Sequence, residues 1–142
     1  MLTVNQLLAM KGRQLFSVAP QESVLRAIEV MATQHVGALL VMERGVLLGV
    51  ISERDYARKV ILMQRSSHDT PVATIMSSPV ITVRLTDTVN HCMELCTRER
   101  IRHLPVIEGG AVIGMLSIGD LVKAMLQEQS EHIEQLERYI AG

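Results

Sequence analysis

A chain of 142 residues with a formal net charge of −1 has the size of one domain and can bury about two-thirds of its unfolded surface. The near-neutral charge excludes the electrostatic footprint of a nucleic-acid binder, and no polybasic cluster argues for anionic lipid. Aromatic residues are confined to Phe16, Tyr56 and Tyr139, too few for the stacking platforms that hold single strands, so a planar ligand would have to lie between aliphatic side chains.

In chain order, residues 3–10 predict a short helix and residues 15–18 a strand. The turn Pro20-Gln21-Glu22-Ser23 starts a helix, on which Val24, Ala27, Ile28 and Met31 recur at helical spacing. Two apolar strands follow, over 38–42 and 46–51, with Glu43-Arg44-Gly45 as the hairpin turn. A helix over 54–63 ends the set, and residues 64–70 read as a polar loop. The order then recurs. A short helix covers 71–76 with Pro71 at its start, and a strand covers 80–83. Thr86-Asp87-Thr88 opens a helix with Val89, Cys92, Met93 and Cys96 on one face. Strands over 104–107 and 111–116 flank Glu108-Gly109-Gly110, and a helix covers 119–127. A charged helix over 128–140 carries Ile133, Leu136 and Ile140 on one stripe, which needs a partner: the chain's own body or a second copy. Within each set the strand before the first helix and the strand after it are expected to run parallel through a right-handed crossover. Gly49 and Gly114 fall inside strands, which predicts a bulge or a close backbone approach.

The apolar runs at 36–42 and 46–51 have strand length, so no membrane span is expected. Residues 1–10 lack a charged leader followed by a long apolar run, so no secretory signal is expected. Cys92 and Cys96 read as two buried thiols in a reducing cytoplasm. His35, His68, His91, His103 and His132 are scattered without metal-ligand spacing, and no metal site is expected.

The recurrence is a duplication. Offset by 65 residues, positions 18–61 match 83–126 without a gap, with ten identities in 44 positions against roughly three expected from average composition. The identities include polar residues: Ser52 with Ser117 and Asp55 with Asp120. Ser52-Glu53-Arg54-Asp55 and Ser117-Ile118-Gly119-Asp120 each stand where a strand ends and a helix begins. A capping box accounts for the spacing. The same geometry suits a ligand: the helix start favours phosphate, the hydroxyl adds a bond, and the carboxylate can accept from both hydroxyls of a ribose.

The double β-α-β-β-α repeat, Gly-Val-Ile-Ser-Glu-Arg-Asp at 49–55, Arg-His-Leu-Pro-Val at 102–106 and Gly-Met-Leu-Ser-Ile-Gly-Asp at 114–120 together resemble the CBS-domain family, named for cystathionine β-synthase. The resemblance covers nearly the whole chain. It implies an α/β (α+β) fold in which two repeats, 1–64 and 71–127, each with its leading short helix, pack as a pseudo-two-fold pair (a Bateman module), followed by a helical tail at 128–142. It implies ligand clefts between the repeats that take adenosine compounds, AMP first, then ATP, ADP or NAD, then S-adenosylmethionine. By the same resemblance Asp55 and Asp120 hold the ribose and Ser52 and Ser117 lie near the phosphate. The base rests on backbone and apolar side chains of Val18, Gly37, Ala38 and Leu39 in one half, and on Thr82, Val83, His103, Leu104 and Pro105 in the other. Arg54, Arg58 and Lys59 gather cationic groups near the first motif, and Arg100, Arg102 and His103 near the second.

The expected function is therefore an adenosine-nucleotide sensor without catalysis, acting as a homodimer on an effector protein that the sequence does not identify. An assembly adaptor with empty clefts is the alternative. An enzyme lacks support: there is no phosphate-binding glycine loop and no paired carboxylates beside a candidate metal.

Overall fold

The duplicated pattern builds two α/β units in the computed structural model, which describes residues 1–141. One unit is Leu15–Ile81; the other joins Met1–Gln14 to the chain from Thr82 onward. The elements are α1 (Val4–Lys11), β1 (Ser17–Val18), α2 (Val24–Gln34), β2 (Ala38–Glu43), β3 (Val46–Ser52), α3 (Glu53–Tyr56), α4 (Val72–Ile75), α5 (Val89–Glu99), β4 (His103–Glu108), β5 (Ala111–Ser117) and α6 (Ile118–Ala141).

In the Leu15–Ile81 unit, β1 lies parallel to β2, with Val18 opposite Val41, and β3 returns antiparallel. Ser23 caps α2 by accepting from the Arg26 N–H at 3.1 Å. The apolar face of α2 (Val24, Ala27, Met31) packs with Val18, Leu39, Val41, Ile51, Val60, Val72 and Ile75 into one buried cluster. After α3 the helix widens into a π-helical turn, Ala57–Ile61, where the Leu62 N–H reaches back five residues to Ala57 O at 3.2 Å. The expected single helix over 54–63 is thus two pieces.

The second unit repeats this plan with two differences. The expected strand over 80–83 shrinks to one parallel bridge, Val83 with Val106. The reason is a single residue. In the first repeat the Leu40 N–H donates to Phe16 O at 3.1 Å. The equivalent of Leu40 is Pro105, which has no N–H, so that ladder bond has no donor. The β4–β5 pair therefore forms a two-stranded sheet. Secondly, the helix after β5 does not stop near residue 127: α6 runs unbroken for 24 residues, about 36 Å at 1.5 Å per residue.

The leading helices are exchanged relative to the expected boundaries. Val4 N–H donates to Asp87 O, Asn5 N–H to Leu85 O, and Val89 N–H to Leu2 O. Val72 N–H donates to Glu22 O, Ala73 N–H to Pro20 O, and Val24 N–H to Thr70 O, the same three bonds made between equivalent residues of the other repeat. So α4, which precedes the second repeat in sequence, completes the first, and α1 completes the second. The hydrogen-bonding edge fixes this choice. Each short helix uses its own first N–H groups on the turn before a long helix, and the apolar triads Val4, Leu7, Leu8 and Val72, Ile75, Met76 sit equivalently above those turns.

Both strand glycines behave as expected. A register shift in the β2–β3 ladder makes a bulge beside Gly49, and the equivalent shift in β4–β5 lies beside Gly114. A Cβ at Gly49 would stand 2.7 Å from Met76 Sδ and 2.9 Å from Ser77 O. At Gly114 it would stand 2.8 Å from Leu8 Cδ2.

Candidate functional site

Each motif folds as a capping box at a strand–helix junction. In the first, the Asp55 N–H donates to Ser52 Oγ at 3.2 Å, while Asp55 Oδ2 accepts from the Ser52 N–H at 2.9 Å and from Ser52 Oγ at 3.0 Å. In the second, the Asp120 N–H donates to Ser117 Oγ at 3.1 Å and Asp120 Oδ2 accepts from the Ser117 N–H at 2.8 Å. The structure therefore contains the cap that the spacing predicts.

Strand pairing then brings the neighbouring candidates to each motif. Ala38 lies directly opposite Ser52, and Gly37 O accepts from the Glu53 N–H at 3.1 Å. His103 lies opposite Ser117, and Arg102 O accepts from the Ile118 N–H at 2.8 Å. Gly37, Ala38, Ser52 and Asp55 thus form one cluster, with Arg54 on the same helix start; Arg102, His103, Ser117 and Asp120 form the other. Thr82 is exposed beside Val83. Arg58 is exposed, and Arg100 sits in the left-handed conformation that ends α5, as His35 does for α2.

The apolar candidates divide differently from expectation. Leu39 and Leu104 are 0% exposed, and Val18, Val83 and Pro105 are buried. Leu39 and Val18 belong to the core cluster of their unit. Their place in that cluster turns the Leu39 and Val18 side chains inward, so what they can offer a ligand is their backbone.

Three groups at the carboxylates were missing from the candidates or had no partner assigned. Lys59 Nζ lies 3.0 Å from Asp55 Oδ1 and donates to Ile75 O at 3.0 Å. Ser77 Oγ lies 3.4 Å from the same Oδ1. Lys11 Nζ donates to Asp120 Oδ2 at 2.6 Å and to Met115 O at 2.5 Å. Lys59 is four residues beyond Asp55, a spacing that pairs side chains on a helix. Lys11 and Ser77 have no such signal, because they arrive through tertiary structure. Burial alone would raise the Asp120 carboxyl; the Lys11 hydrogen bond, the Ser117 N–H, the Lys11 charge and the Ser117 hydroxyl outweigh it and hold the carboxyl below its ordinary value.

Cys92 and Cys96 lie buried as free thiols. Burial, with Asp87 and Cys96 nearby, pushes the Cys92 thiol up to about 12. Among the described residues no group of three or more His, Cys, Asp or Glu side chains is placed to hold a metal, and no helix is long and apolar enough to cross a membrane.

These features have known counterparts. The CBS domain family model matches residues 10–62 and 72–127. The chain belongs to the CBS-domain family and carries two copies of the domain. It is 44% identical over 126 residues to the CBS domain-containing protein CBSX3, mitochondrial, of Arabidopsis thaliana, covering 85% of this chain and 61% of the plant protein. The chain thus spans about three-fifths of that relative's length. A solved CBS-domain protein from Burkholderia ambifaria MC40-6 is 45% identical with a TM-score of 0.86, over 89% of this chain and 96% of that one. The CBS domain protein PAE2072 from Pyrobaculum aerophilum, solved in complex with AMP, is 30% identical with a TM-score of 0.78, over 92% of this chain and 99% of that one.

Proposed function

We propose that the protein is a regulatory module that binds an adenosine nucleotide at its Ser-x-x-Asp motifs and performs no chemistry of its own. The observation that carries this reading is the duplicated carboxylate at a strand–helix junction, Asp55 and Asp120, beside residues 37–38 and 102–103. The AMP complex of the 30%-identical relative supports an adenylate as the ligand. AMP is the first candidate, ATP, ADP and NAD follow, and S-adenosylmethionine comes last. Each carboxylate accepts from the ribose hydroxyls. The motif serines Ser52 and Ser117, with Arg54, Arg102 and His103, serve the phosphate side. The backbone of Gly37, Ala38, Val18 and Leu39, and of Thr82, Val83, Leu104 and Pro105, serves the base.

Binding acts by population shift: a ligand that prefers one arrangement of the module stabilises it by its differential affinity. The output passes to a separate effector protein and through a homodimer, for which the exposed apolar stripe of α6 is the surface. A reducing compartment, the cytoplasm, suits two free thiols. Thermal melting of protein verified to be free of nucleotide tests the reading. At 100-fold excess over Kd, ligand adds about 2.7 kcal/mol, so AMP is expected to raise Tm on the order of 5–10 °C. No shift with any adenosine compound contradicts it.

A second reading, an assembly adaptor that senses nothing, is favoured by one observation: both carboxylates already hold lysine ammonium groups. It predicts that Asp55→Ala and Asp120→Ala leave partner binding unchanged.

A further inference from the structure

The two lysines are not part of the duplication that produced the carboxylates they hold. By the repeat offset, Lys59 falls opposite Ala124. By the matched bonds of α1 and α4, where Val4 stands for Val72, Lys11 falls opposite Pro79. Yet each carboxylate of the motif receives an ammonium group, and each ammonium is also tied to a backbone carbonyl, Met115 O or Ile75 O. The same contact is made twice from unrelated positions.

The two are unequal in strength and access. Asp55 has both oxygens engaged, Oδ2 by the Ser52 N–H and hydroxyl, Oδ1 by Lys59 and Ser77, and its side chain is 11% exposed. Asp120 is 26% exposed, and the Ser117 N–H and Lys11 Nζ both fall on its Oδ2. A vicinal diol needs two acceptor positions on one carboxylate. On Asp120 the ammonium already holds Oδ2 at 2.6 Å, an acceptor the diol would need.

We infer that Lys11 is a built-in competitor at the second motif: its ammonium and the ribose hydroxyls contend for Asp120, so Lys11 sets how tightly that motif takes a diol. The inference rests on the sensor reading above. The lysine has a tolerable alternative when displaced, since it ends α1, where a cation is favoured by the helix dipole, and Gly12 follows it at φ 99°. Both partners are partly solvated, so the pair is breakable rather than locked.

Titration calorimetry with adenosine isolates the competition, because adenosine carries no phosphate for the ammonium to attract. Lys11→Met keeps the apolar stem and removes the charge; Lys11→Gln serves the same purpose should the methionine variant fail to fold. The variant is expected to bind adenosine about two- to fivefold more tightly than the wild type. Raising salt should tighten adenosine binding to the wild type and leave the variant flat, because salt screens only the ion pair. Adenosine affinity in the variant equal to or weaker than in the wild type, or absent from both, overturns the inference. AMP, ADP, ATP, NAD and S-adenosylmethionine titrated into the wild type separate the two ideas: with any of them bound and adenosine unaffected by the substitution, only the competitor role falls; with none bound, the sensor reading falls with it.

Discussion

Asp55 and Asp120 stand at equivalent places yet carry different loads. Asp55 is nearly enclosed and ties together α3, Lys59 and Ser77; Asp120 is half-open and holds one long-range partner. Asp55→Ala is therefore expected to cost about 1–3 kcal/mol in urea unfolding, from a lost cap and groups left unpaired. Asp120→Ala is expected to cost less while abolishing ligand response at its motif. Equal costs would contradict this division. Asp120 also makes a pH prediction. Its folded carboxyl titrates below the ordinary value of 3.8, so its contribution is complete above that value and is lost as pH falls through the folded one. The stability gap between wild type and Asp120→Asn should hold from neutral pH down to about 5 and shrink below about 4. A gap that widens in acid contradicts the assignment. The carboxylates were legible in the sequence because duplication kept them when the residues between changed. Their lysine partners were not: Lys11 and Asp120 are 109 residues apart, and no local pattern encodes such a contact.

Among the elements, the long helices and both hairpins follow from apolar periodicity and Gly-containing turns, and the structure has them. The exchange of α1 and α4 was not legible, because an apolar triad says that a short helix packs and not on which repeat. The loss of a strand at 80–83 was legible in principle through Pro105, whose missing N–H removes a ladder bond. The glycines test how these elements meet. Gly49→Ala drives a Cβ toward the Ser77 carbonyl, part of the bridge that holds α4's end to β3, while Gly114→Ala meets only the tip of Leu8. Gly49→Ala should cost about 1–3 kcal/mol and Gly114→Ala less, because a leucine can rotate and a bridged backbone cannot. Urea midpoints in the reverse order would contradict this packing. The outer half of α6 leaves Ile133, Leu136 and Ile140 at least half exposed on one stripe. If that stripe joins two copies, the 15.8 kDa chain sediments as a dimer and Leu136→Glu makes it a monomer with the fold unchanged. A wild type monomeric at tens of micromolar contradicts the dimer.

For the whole molecule, membership in the CBS-domain family and two copies of one motif make a binding module the economical account. A ligand of micromolar affinity carries about −8 kcal/mol, ample to bias an equilibrium between two arrangements whose free energies differ by a few kcal/mol. What decides the account is whether the motif carboxylates grip a sugar diol. The direct measurement is calorimetric titration of the wild type with AMP and with its 2′,3′-dideoxy analogue, which keeps base and phosphate and lacks both hydroxyls. The account predicts saturable AMP binding that is lost when Asp55 and Asp120 are both replaced by alanine, and an analogue at least tenfold weaker on the wild type. AMP and the analogue binding alike, or AMP binding undiminished when both Asp55 and Asp120 are replaced by alanine, would contradict it.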